Sequence, residues 1–480
     1  MNRNFYPLLL KFSLFVFACG EKHIIQKAPL KFSIEQVKEL NTGIYPVRYE
    51  LHFKNESDSG QNINYYWRFG DGATADGYNA KHGYLQPGNY TVWQIRYIGP
   101  EAVDSSSLTI KVDAIPVIIR QNDFFYSHPV AIGTFDNKVY LAGIHPYKDN
   151  DSRTKQECYL TQYDSLWREQ WTKTFPSELG EIKSMSVTAN GDVLLTVIKE
   201  RERSRLYRID GNGNIKWTWT SPMDNMPIYA SAEDKQGNIV MVVTKSATSG
   251  WRNVTMQLDA SGNEIWTYDW PDNDLGWCYK LATLNDGYVF AGFGGCAEGC
   301  IHIAKLTLGG KIAWNNVVPP GKKSEIGADL GVYTVLDQSN QLQVFSSPYY
   351  TCHTFDVNGK HLGSRELGVN MAPHDVIVNK TGSVLVFGDQ LSYGSPHATL
   401  LELKPNGSTG FIYNSLTSIE TWNLAEYPRN TRSKSIALTD KNVALITGQF
   451  SWSNPRYPGI AEPNYATFVC QLDADGKLFK

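Results

Sequence analysis

Cys296 and Cys300, in the run Cys-Ala-Glu-Gly-Cys with His302 two residues on, form the tightest grouping of potential ligands in this 480-residue chain. That spacing suits a disulfide that pins a hairpin loop, or two corners of a metal site with His302 as a third. No second Cys or His pair completes a tetrahedral set in sequence, so the disulfide is the expectation, and no metal or cofactor is expected. Cys158, Cys352 and Cys470 are expected to be buried thiols. The ten histidines are scattered, and there is no His-Glu-x-x-His, no Gly-x-Ser-x-Gly and no phosphate-cradling glycine loop. Paired carboxylates for glycoside hydrolysis are the remaining chemistry. Asp329, Asp375 and Glu181 fall near the innermost strands of a repeated unit, with nothing to mark them above the other acids. No catalytic residue is assigned.

The elements that must position any site are repeats. Asp210-Gly211-Asn212-Gly213-Asn214-Ile215-Lys216-Trp217 returns as Asp259-Ala260-Ser261-Gly262-Asn263-Glu264-Ile265-Trp266 and as Thr307-Leu308-Gly309-Gly310-Lys311-Ile312-Ala313-Trp314. Looser copies lie at Asp164–Trp171, Asp356–Gly363, Lys404–Phe411 and Asp473–Lys480. From Trp171 to Trp217, Trp266 and Trp314 the intervals are 46, 49 and 48 residues. A second half-unit, a polar corner followed by a β-branched run, precedes each turn and also occurs seven times, for example at Gly191–Ile198 and Gly382–Gly388. Units of this length that divide into four short strands are propeller blades. Gly and Asn in the turns supply positive φ, and the recurrent Trp fits an apolar plug between neighbouring blades. Asp-x-Asn-x-Asn at 210–214 superficially resembles a calcium loop, but its sixth and twelfth positions are Ile215 and Ser221, where that loop needs Gly and Glu. A plain hairpin turn is expected.

Charge narrows the partners. There are 45 Lys and Arg against 48 Asp and Glu, a net charge of −3, and no basic run beyond Lys199–Arg205, where Glu alternates. That excludes a nucleic-acid footprint. Aromatic residues make up 12% of the chain, which suits both β-structure and carbohydrate contact.

The amino terminus carries Arg3 and an apolar run, Leu8–Ala18, too short to span a bilayer. It ends Val16-Phe17-Ala18-Cys19-Gly20 and resembles a bacterial lipobox, which implies lipidation of Cys19, removal of the signal and tethering to a membrane by acyl chains. Residues 1–19 are the expected signal peptide and 20–31 a polar linker. Residues 32–113 contain Trp67-Arg68-Phe69-Gly70-Asp71-Gly72, then Tyr84 and Pro87-Gly88-Asn89-Tyr90-Thr91-Val92. This resembles the polycystic-kidney-disease (PKD) domain, which implies an immunoglobulin-like β-sandwich that acts as a spacer or adhesive module. The motif residues read as structural, with Trp93 or Tyr97 as possible polysaccharide contacts. Residues 114–125 join the domains, and Ile115–Arg120 is expected to add a strand beside the end of the last blade. That strand closes the ring of a seven-bladed propeller spanning 126–480.

The turn and its Trp also resemble the repeats of quinoprotein-like propellers. Those families usually have eight blades, and the adjacent-cysteine pair of many quinone dehydrogenases is missing here. The expected fold is all-β. The expected protein is a non-catalytic envelope lipoprotein, at the outer membrane or cell surface, whose propeller binds a protein or polysaccharide. The alternatives are a polysaccharide-active enzyme with carboxylates in its funnel and a periplasmic assembly scaffold. The excursions Tyr147–Glu157, Pro319–Glu325, Ser415–Asn430 and Ser451–Tyr465 are the candidate binding loops.

Overall fold

Val193-Leu194-Leu195-Thr196-Val197-Ile198 is apolar and β-branched without alternation, as a strand covered on both faces must be. It is the second strand of its sheet and is buried along all but its last residue. The fourth strand of the same sheet, Ile215–Thr220, alternates between half-buried and exposed positions. Burial therefore falls outward from an axis, as the meander of a propeller blade requires. The computed structural model describes residues 30–35, 44–46, 50–57, 63–84, 88–113, 117–119, 128–148, 154–165, 167–175, 180–198, 202–247, 250–271, 278–294, 300–321, 331–392, 395–414, 430–452 and 464–472. Among them every regular element is a strand, and no helix is long and apolar enough to cross a membrane.

Two sheets form the N-terminal sandwich. One holds Phe32–Glu35, Leu51–Asn55 and Ala80–His82; the other holds Ile44–Pro46, Glu101–Asp113, Gly88–Ile98, Ile63–Arg68 and Thr74–Asp76. Trp67, Phe69, Phe53, Tyr84 and Val92 fill the space between them. The motif residues hold this core in register. Trp67 Nε1 donates to Gly77 O at 2.9 Å and Tyr84 OH to Phe69 O at 2.9 Å. Asp71 Oδ1 accepts the Ala73 N–H and its Oδ2 meets His82 Nε2. Gly70 has φ of 86°, and a Cβ there would sit 2.9 Å from Thr91 O. Gly72 also has positive φ, and Tyr90 stacks on Tyr84 with ring centres 4.2 Å apart. Pro87 lies outside the described residues.

Seven sheets come next, one per expected blade. Blade 2, for example, is Glu181–Val187, Val193–Ile198, Arg205–Ile209 and Ile215–Thr220, all antiparallel. In blade 4 the inner strand is broken into Cys278–Lys280 and Ala282–Leu284, and the first piece pairs in parallel with the inner strand of blade 5, Gly331–Leu336. Blade 7 has strands Asn430–Leu438, Ala444–Trp452 and Asn464–Leu472, and takes its fourth from Val117–Ile119. Val117, Ile118 and Ile119 face Val469, Phe468 and Thr467 across an antiparallel ladder. The expected closing strand is present, and it removes the free edge of the last blade.

Seven hydrophobic clusters fill the seven gaps between blades. The one that joins the ends of the ring sets Ile132, Leu141 and Tyr159 of blade 1 against Ala437, Leu445 and Val469 of blade 7. The repeated Trp caps these gaps at the rim. Trp217 Nε1 donates to Ala260 O of the next blade's turn at 2.9 Å, Trp266 to Leu308 O at 2.9 Å, and Trp171 and Trp314 make equivalent bonds. The indole lies on the glycine of that turn: a Cβ on Gly213, Gly262, Gly310 or Gly359 would approach it to between 2.5 and 3.0 Å. The plug is thus also a hydrogen-bond donor. Blade 5 has Gly363 in place of Trp, and Arg365 takes over by donating to Gly407 O. In the turns themselves Asp210 Oδ1 accepts the N–H groups of Asn212 and Asn214, while Gly213 takes the positive φ. Asp259 and Asp356 repeat this. The carboxylates close hairpins, and the described residues hold no cluster able to ligate a metal. The Asp473–Lys480 copy lies outside the described residues.

Candidate functional site

Four strands is an even number, so every blade begins and ends on the same side of the ring. The connections from first to second strand and from third to fourth therefore share one face. Those from second to third, and from each blade to the next, share the other. The first face is built from short polar turns such as 188–192, 210–214, 259–263, 356–360 and 379–383. All four long excursions fall on the second: 147–157 and 451–465 join second to third strands, and 319–325 and 415–430 join consecutive blades. Most of their residues lie outside the described set. This face is where loops free of turn constraints can vary and bind.

The inner strands enter from that face and line an axial channel of about 750 Å³. Five of them carry an irregularity at one shared position. Pairing skips from Pro129 to Ala131, Ile182 to Ser184, Ile228 to Ala230, Pro373 to Asp375 and Ser433 to Ser435. The unpaired residues are Val130, Lys183, Tyr229, His374 and Lys434. A β-bulge breaks the ladder and re-aims the side chain, and all five line the channel. Lys280 of blade 4 and Tyr333 of blade 5 join them there, which completes a collar of one residue per blade near the long-connection face.

His374 is held from behind. Its Nδ1 lies 3.2 Å from Ser433 O and 3.0 Å from Ser433 Oγ. A carbonyl can only accept, so Nδ1 bears the proton and Nε2 is the basic nitrogen. Ser433 Oγ donates to Asp389 Oδ1 at 2.8 Å, and Asp389 is fully buried, its other oxygen 3.9 Å from His374 Nδ1. Serine and carboxylate both sit on the Nδ1 side, which is not the geometry of a nucleophilic triad.

Of the expected acids, Asp375 is committed elsewhere. Oδ1 takes Lys280 Nζ at 2.7 Å and the Val376 N–H; Oδ2 takes Ser435 Oγ and the Ile436 N–H. Both oxygens are saturated by bonds that tie blades 4, 6 and 7 together. Glu181 is exposed at the channel mouth, and Asp329 lies outside the described residues. Glu181 and Asp375 are the acids among the described channel-lining residues.

The cysteines sort by burial. Cys300 is disulfide-bonded; Cys296, its expected partner, lies outside the described residues, as does Cys19. Cys158, Cys352 and Cys470 are free and buried, as is Cys278. Burial pushes the Cys158 and Cys352 thiols up to about 11 and those of Cys278 and Cys470 up to about 12. They stay protonated and unreactive at neutral pH. Trp93 is 42% exposed on the sandwich sheet.

Residues 35–95 match the family model of the PKD domain. The N-terminal sandwich is a PKD domain. No curated protein matches the chain. Among solved structures, a streptogramin B lyase is 14% identical over 74% of this chain and 97% of its own, with a TM-score of 0.48. A quinonprotein alcohol dehydrogenase-like protein from Bacteroides thetaiotaomicron is 9% identical over 79% and 96%, with a TM-score of 0.41. The β-propeller domain of the Trilobed protease from Pyrococcus furiosus is 10% identical over 74% and 98%, with a TM-score of 0.44. Such distant likenesses carry no argument about activity. Beyond the PKD domain the chain is a seven-bladed β-propeller on its own strand topology.

Sequence reading missed the collar. Aligning the inner strands on their adjoining turns places Val130, Lys183, Tyr229, His374 and Lys434 at one repeat position, where four of the five, Lys183, Tyr229, His374 and Lys434, interrupt the inner strand with a long polar or polar-tipped side chain. That interruption is the signal that was available.

Proposed function

We propose that this protein is a non-catalytic, lipid-anchored envelope protein whose PKD domain holds a binding propeller away from the membrane. The observation that carries this reading is the segregation of connections. Every long excursion opens on the face that holds the collar, and the opposite face is closed by hydrogen-bonded turns. The saturation of Asp375 supports binding over hydrolysis, since a general acid or nucleophile needs a free carboxyl oxygen. Cys19 is the proposed lipid attachment point, and the partner is a protein or polysaccharide of the envelope or of a neighbouring surface.

The test uses the full chain. Labelled palmitate is incorporated by the wild type and not by Cys19→Ala. In the Cys19→Ala background, which lacks the acyl tether, replacing 416–429 with a four-residue turn abolishes retention on isolated envelope fragments and leaves the melting temperature within about 2 °C, since the length of a connection adds little to stability. Retention of the loop-shortened protein contradicts the proposal.

A further inference from the structure

The collar is uneven in charge and chemistry. Lys183, Lys280, His374 and Lys434 line the channel against Glu181 and Asp375, and Asp375 is consumed by Lys280. Lys434 is exposed and has no ion-pair partner among the described residues. His374 sits one blade away, and its Nε2 has no hydrogen-bond partner among them. Lys434 is therefore a cation left without an anion at one wall, beside a free imidazole nitrogen. At another wall Lys183 Nζ lies 5.8 Å from the centre of the Tyr229 ring, and Tyr333 adds a second half-buried aromatic side chain.

We infer that the bulge collar is a binding site for a carboxylate carried on a hydroxylated ring, the chemistry of a uronic acid residue in an acidic polysaccharide. Lys434 supplies a charge-assisted hydrogen bond to the carboxylate, and His374 Nε2 accepts one from a hydroxyl of the ring. Tyr229 and Tyr333 present apolar ring faces with polar tips, which suits a sugar that is apolar on one face and hydroxylated at its edge. A channel of about 750 Å³ lies in the size range of small-ligand sites and takes more than a bare anion. Asp389 and Ser433 are positioning residues that fix the imidazole. The inference rests on the long-connection face being the binding face, and names a ligand class for it.

Titration calorimetry on the full chain with trigalacturonate, a neutral galactose trimer and inorganic phosphate tests this. Trigalacturonate is expected to bind, the neutral trimer at least tenfold more weakly, and phosphate more weakly than either sugar. Lys434→Ala combined with His374→Gln is expected to weaken trigalacturonate roughly tenfold or more. Lys311→Ala, on the short-turn face, leaves it unchanged. Equal binding of the neutral trimer, phosphate binding as tight as trigalacturonate, an unaffected double variant, or no binding of trigalacturonate at millimolar concentration would each overturn the inference. Retention of the untethered Cys19→Ala chain on envelope fragments separates the two claims. A double variant that loses neither trigalacturonate nor retention removes the collar site and leaves the binding-face proposal standing.

Discussion

Replacing residues 115–120 with a Gly/Ser segment of equal length is expected to lower the melting temperature by about 10 °C or more. Val117–Ile119 is the fourth strand of blade 7, although it precedes blade 1 in sequence. Its ladder onto Val469, Phe468 and Thr467 is the hydrogen-bonded seam between the two ends of the propeller. The apolar cluster beside it, which sets Leu445 and Val469 against Leu141 and Tyr159, then has to hold the ring shut together with the Thr134 Oγ1 bond to Leu438 O and the Asn137 N–H bond to Asp440 Oδ2. The substitution also exposes an unpaired strand edge, so the variant should self-associate on heating. The replacement keeps the tether between the domains, so any loss reports the seam and not the linkage. A melting temperature equal to the wild type would mean that the ring is closed by apolar packing without the ladder.

The second large effect separates two roles of glycine in the repeated turns. Gly237 and Gly310 both have positive φ, 84° and 74°. An added Cβ at Gly237 meets nothing within 4 Å, whereas at Gly310 it would lie 2.6 Å from Trp266 Cδ2 of the preceding blade. Gly237→Ala is expected to cost about 1 kcal/mol, the cost of a left-handed backbone alone. Gly310→Ala carries the same strain and also pushes the indole off its acceptor, Leu308 O, so it is expected to cost about 3 kcal/mol. Trp266→Ala should approach the Gly310→Ala value by opening the same gap from the other side. Denaturant midpoints for the three variants check this. Equal losses at Gly237 and Gly310 would show that the Trp rests loosely on the turn.

The scaffold was legible in the sequence because its signals are local and repeated. Asp210, Gly213 and Trp217 are fixed by a hairpin and by the next blade's identical hairpin, so the same residues return wherever the geometry does. The closing strand was legible as a β-branched run, Ile115–Arg120, placed between the domains where it could cover the open edge of the last blade. The collar depends instead on cross-strand register. Val130, Lys183, Tyr229, His374 and Lys434 share a backbone irregularity and no side-chain type, and a register shift exists only once two strands are paired. The fate of Asp375 was hidden for the same reason. Its partners, Lys280 and Ser435, come from blades far away in sequence. Pattern alone marked the acid as a candidate, and packing spends both its oxygens.

The most direct test of the binding-face account is photo-crosslinking from each face of the propeller in intact cells. A photoreactive residue at exposed Met223 or Lys434 sits on the long-connection face; one at exposed Asn212 or Asn358 sits on the short-turn face. The account predicts crosslinks to envelope protein or polysaccharide from the first pair and none from the second. Crosslinks from Asn212 and Asn358 with none from Met223 and Lys434 would contradict it and move the binding surface to the turns.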